Sequence, residues 1–61
     1  MEDIKTILLK RRERHEELNE QDRVFIVENI DFPNIVSERV QDINNRLAKI
    51  EEIDTILKLI K

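Results

Sequence analysis

The chain has 61 residues, 41% of them charged and 39% hydrophobic, with a net charge of −3 and neither cysteine nor glycine. Without cysteine there is no disulfide framework, and without glycine the usual phosphate-cradling loops cannot be built, which removes most nucleotide chemistry. At this length one domain is the most that fits, and it buries only about 60% of the surface its unfolded chain exposes, so packing must be unusually good or shared with another molecule.

High charge and few aromatics are also the mark of disorder, but here the hydrophobic residues fall at regular spacing and the net charge is small. The class expected is all-α, since charged and aliphatic residues at helical period, without glycine, compose bundles and coiled coils. No apolar run approaches the roughly 20 residues of a membrane span, and the opening Met1-Glu2-Asp3 is acidic where a secretory signal is basic. A cytoplasmic, intracellular location is therefore expected, with no membrane partner. The abundance of Ile, Asn, Lys and Glu is that of AT-rich genomes, bacterial or phage.

A first helix is expected over about 3–28. Its stripe comprises Ile4, Ile7, Leu8, Arg11, His15, Leu18, Asp22, Phe25 and Ile26, which share one side of a helical wheel and are polar in the middle. The β-branched stretch Val24-Phe25-Ile26-Val27 suits a strand, yet no second strand exists for it to pair with.

The only proline, Pro33, punctuates the chain in a turn at about 29–32. Asp31 is the expected N-cap of the second helix, with Phe32 and Pro33 in its first turn, where a missing N–H costs nothing. Ile30 and Ile35 would close a hydrophobic staple, and Asn29 is the residue best suited to a left-handed helix end.

The second helix is expected over about 32–60. Val36, Val40, Ile43, Leu47 and Ile50 recur at spacings of four, three, four and three, which is a coiled-coil seam. It continues as Ile53, Leu57 and Ile60 after a sideways shift, leaving Ile56 and Leu59 off the stripe. Two such helices joined by a short turn make an antiparallel hairpin, one domain over residues 1–61. Setting residue i opposite residue 65 − i brings the apolar ends together, with Arg11 facing Asp54, Leu18 facing Leu47 and Phe25 facing Val40. His15 and Asp22 then face Ile50 and Ile43, and apolar surface is left uncovered. The economical cover is a second copy, a symmetric dimer forming a four-helix bundle. The stripe of the first helix is roughly palindromic about residues 16 and 17, so two antiparallel copies would set Arg11 beside Asp22.

The run Lys10-Arg11-Arg12-Glu13-Arg14-His15 is the most conspicuous local feature. A phosphate-binding footprint needs its cations on one face; at 100° per residue these scatter, with acids between them. Pairs such as Arg12–Glu16 and Asp42–Arg46 at i,i+4 are expected instead. His15 is the only histidine, and Arg12 stands where a di-metal bundle needs Glu three residues before it, so no metal is expected. The hydroxyls Thr6, Ser37 and Thr55 sit in no nucleophile motif, and no catalytic residue or cofactor is expected. His15 is expected at an interface, lending association a weak pH dependence.

The function expected is that of a non-enzymatic interaction module: a homodimeric helical regulator, inhibitor or adaptor that docks an amphipathic face on a larger protein. Its expected anchors are Leu9, Ile53, Ile56, Leu57, Leu59 and Ile60, with Arg11, His15 and Asp22 also at the interface. The alternatives are an accessory protein that meets nucleic acid through the basic cluster, and a structural assembly piece.

Overall fold

The computed structural model describes residues 3–60 and contains two helices, α1 over Ile4–Glu28 and α2 over Pro33–Leu59. The helix α1 begins where the side chain of Asp3 accepts a hydrogen bond from the Thr6 backbone N–H at 2.8 Å, satisfying one of the donors a helix start leaves without a partner. It runs unbroken through Val24–Val27; β-branching lowers helix propensity by only fractions of a kcal/mol per residue, and there is no strand to pair with among the described residues.

The turn differs in three ways from the sequence expectation. Asn29 ends α1 with φ −119° rather than left-handed: its N–H reaches the Phe25 and Ile26 carbonyls, and its side-chain amide donates to the Phe25 carbonyl at 2.8 Å. That side-chain bond removes the need for a positive φ, and no described residue has one. The N-cap of α2 is Phe32, not Asp31, and no side chain caps it. With Pro33 at the first helical position one N–H is already absent, and the Phe32 carbonyl accepts from the Ile35 and Val36 amides. Finally, Ile30 is largely exposed and does not staple the entry.

The helices pack antiparallel, as their cross-links show: Arg12 with Asp54, Asn19 with Arg46 and Phe25 with Arg39. Each of these pairs sums to within one of 65. The register is therefore the one the stripes imply, but both helices are rotated by about one residue. On α1 the inward line is Leu8, Arg12, His15, Asn19, Asp22, Ile26 and Asn29; on α2 it is Val36, Arg39, Ile43, Arg46, Ile50, Ile53 and Leu57, ending at Ile60. All but Ile60 are buried or half-buried. Both lines alternate steps of three and four without interruption, so the sideways shift expected at Ile50–Ile53 does not exist.

This rotation changes who meets whom. Asp54 takes Arg12 rather than Arg11, Asn19 and Arg46 meet where Leu18 and Leu47 were expected to, and Phe25 lies under the Arg39 guanidinium, 4.5 Å from it, instead of against Val40. Arg46 turns inward and makes no bond to Asp42. Among the described residues the buried apolar core is Leu8, Ile50 and Ile53. The molecule measures 45 × 19 × 12 Å, a single layer of two helices in which both broad faces meet solvent.

Candidate interaction surface

The middle of the seam is polar and closed. Asp22, 8% exposed, accepts a charged hydrogen bond from Arg46 and has Arg39 at 3.6 Å. The two arginines come from one turn on either side of Ile43, the residue opposite Asp22, so their apolar stems line the seam while their guanidinium groups reach back to one carboxylate. Asn19, 1% exposed, accepts a long bond from Arg46 at 3.4 Å, and its amide nitrogen has no partner; one turn earlier, Nδ1 of His15 is likewise buried and unpartnered. Arg12 joins the helices about one turn beyond His15, at 2.8 Å from Asp54, and also holds Glu16. The hydrogen bond and charge of Asp54, with help from Glu16, raise the guanidinium pKa above its ordinary value, so Arg12 stays charged at every accessible pH.

The described residues contain no cluster of His, Cys, Asp and Glu able to hold a metal. Thr55 spends its hydroxyl on the Glu51 carbonyl at 3.0 Å within its own helix. The depressions between the helices are lined by charged side chains as well as apolar ones.

The residues expected at an interface divide. Asp22 and Ile53 are used inside the hairpin, and Asp22 is already shared by two arginines of its own chain. His15 and Leu57 are half-buried in the seam. Leu9, Arg11, Ile56, Leu59 and Ile60 are exposed, Leu59 most of all at 79%. The pairing of Arg11 with Asp22 across two copies thus lacks its acid.

Two surfaces flank the seam, one on each side of the hairpin. On the first, Ile4, Arg11, Leu18 and Phe25 of α1 run beside Ile35, Asp42, Lys49 and Ile56 of α2; Arg11, Lys49 and Ile56 line one depression there. On the second, Leu9, Glu16, Arg23 and Ile30 run beside Val40, Leu47 and Asp54; Glu16, Arg23 and Leu47 share a depression. The charges of the second surface are neutralised within the chain, Glu16 by Arg12 and Arg23 by Glu20 at 3.2 Å. Those of the first are not: no ion pair engages Arg11, Asp42 or Lys49 among the described residues. Sequence reading assigned Asp42 to a pair with Arg46 and did not single out Lys49, although their seven-residue spacing from Ile35 and Ile56 is visible in the chain.

Of the basic cluster, Arg12 and Arg14 are occupied by acids, Arg14 by Glu17 at 3.4 Å. No described helix is long and apolar enough to cross a membrane. No protein-family model matches the chain, and no curated protein or solved structure is detectably similar to it.

Proposed function

We propose that this chain is a non-catalytic interaction module, a helical hairpin that pairs with a second copy into a four-helix bundle and acts as a small regulator, inhibitor or adaptor of a larger protein. The observation that carries this reading is the imbalance of apolar burial. Among the described residues three hydrophobic side chains are buried, while Leu9, Val27, Ile30, Phe32, Leu47 and Leu59 are among a dozen large ones left exposed. Stable domains have at least two packed layers, and this hairpin is one.

The surface area supports the same reading. At 7.4 kDa a compact monomer exposes about 4,200 Å², whereas this chain exposes 5046 Å². The excess, about 800 Å², is what one partner contributes to a protein interface of standard size. A nucleic-acid role has less behind it, because Arg12 and Arg14 of the cluster are already paired with acids and the net charge is negative.

Sedimentation equilibrium over a wide concentration range, with circular dichroism on the same samples, tests self-association. A helical dimer is expected. A chain that stays monomeric and helical at every concentration would remove the dimer from this proposal and leave the exposed face to a different protein.

A further inference from the structure

We infer that two copies associate through the surface carrying Ile35, Asp42, Lys49 and Ile56, with α2 antiparallel to α2 of the second copy and Asp42 of each facing Lys49 of the other. The inference deepens the dimer reading above and rests on it. These four residues are each seven apart, so they form one strip along α2 with about 10.5 Å between neighbours. Read forwards the strip is apolar, acidic, basic, apolar. Read backwards it is apolar, basic, acidic, apolar. It is therefore its own complement when one copy is turned end for end, which is what a twofold interface demands: residue i meets residue 91 − i, placing Ile35 on Ile56 and Asp42 on Lys49, each contact made twice.

Three further observations select this surface. Asp42 is half-buried at its edge, and neither it nor Lys49 has an ion-pair partner within the hairpin among the described residues. The opposite surface carries a similar alternation in Leu9, Glu16, Arg23 and Ile30, but its charges are already satisfied in the chain by Arg12 and Glu20, so a second copy gains little there. The twofold axis falls level with residues 45 and 46 on α2, and the hairpin register places residues 19 and 20 of α1 at that same level. The operation that superposes α2 on its mate therefore also lays α1 along its mate, with residue i opposite 39 − i: Arg11 comes against Glu28 and Arg14 against Phe25, whose ring already accepts a cation on one side. One axis satisfies both helices.

The test is charge reversal on the full chain, read by sedimentation equilibrium with circular dichroism as the folding control. Asp42→Lys places two lysines opposite two lysines, and Lys49→Asp places aspartates opposite aspartates; each should weaken self-association by at least about tenfold, the effect of 1.4 kcal/mol, with helicity retained at high concentration. An equimolar mixture of the two variants should associate as tightly as the parent chain, because every position then meets its opposite. Leu47→Gln, on the other surface, should change nothing. Single variants that dimerise like the parent, or a mixture no tighter than its components, would overturn the assigned face while leaving the dimer itself standing. A parent chain that never dimerises overturns both.

Discussion

The two halves of the seam are built from opposite materials. At the open end of the hairpin, Leu8, Ile50 and Ile53 exclude water as an ordinary core does; in the middle, Asn19, Asp22, Arg39 and Arg46 close the same gap with charge and amide. Apolar contacts supply free energy but tolerate sliding, since one aliphatic side chain fits a neighbouring hole nearly as well as its own. A buried carboxylate shared by two arginines tolerates none, because a slip of one turn leaves a charge unpaired at a cost of several kcal/mol. The open end therefore stabilises the hairpin and the middle fixes its alignment, the division seen where a single polar residue sets coiled-coil register.

Substitutions can break that division in order of expected size. Ile53→Ala at the open end should cost about 3 kcal/mol by loss of burial and the cavity left behind. For a chain this small that approaches the whole stability, so urea titration should show an unfolded or barely folded variant. Asp22→Ala removes the one carboxylate in the polar middle and should cost about 2 kcal/mol, less than full burial would imply because Arg39 and Arg46 can both reach solvent. If Asp22→Ala leaves the denaturation midpoint unchanged, the middle does not hold the alignment as argued. Asn19→Leu should go the other way and raise stability by about 1 kcal/mol, since its amide nitrogen is buried without a partner and Arg46 keeps Asp22; a loss of stability would mean the long Asn19–Arg46 bond matters more than its geometry suggests.

The smallest effect lies outside the seam, at Asp3. Its carboxylate pKa is lowered, chiefly by the Thr6 backbone N–H it accepts. A lowered carboxylate pKa stabilises the folded state above the ordinary value of about 4, and that contribution is lost as pH falls through the lowered folded value. Helicity near the start of α1 should thus decline with acid in the parent chain. In Asp3→Ala that decline should vanish, with the helix start frayed at all pH values, as amide exchange of Thr6 and Ile7 would report.

Much of the fold was legible in the chain. The turn at Pro33, two helices and a register near 65 follow from one proline and from stripes at helical period. The rotation of each helix was not legible by hydrophobicity alone. Ranking residues by apolarity selects Val40 and Leu47, which are exposed, over Arg39 and Arg46, which are not. Arginine ranks low on any such scale, yet its three methylenes pack in a seam while its charged head reaches a partner. The signal that distinguishes the two choices is regularity: only the line through Arg39 and Arg46 keeps its three–four alternation from Val36 to Ile60. On α1 regularity does not decide, because the line through Arg11, Leu18 and Phe25 and the line through Arg12, Asn19 and Ile26 both alternate three and four from Leu8 to Asn29. The flanking strip escaped notice for a different reason, because Asp42 and Lys49 look like ordinary surface charges until the helices are placed and neither is found to be paired.

The location of the apolar cluster bears on how the chain reaches this structure. In an antiparallel hairpin the separation of facing residues grows with distance from the turn: Asn29 and Val36 are seven residues apart, Asp22 and Ile43 are 21, Leu8 and Leu57 are 49. Zippering from the turn therefore passes first through arginine, asparagine and aspartate, whose desolvation is costly, and gains its main hydrophobic contacts last, after the greatest loss of loop entropy. The rate-limiting state should lie late, with the polar middle already formed. Mutations at Asp22 should then slow folding, whereas those at Ile53 should mainly speed unfolding.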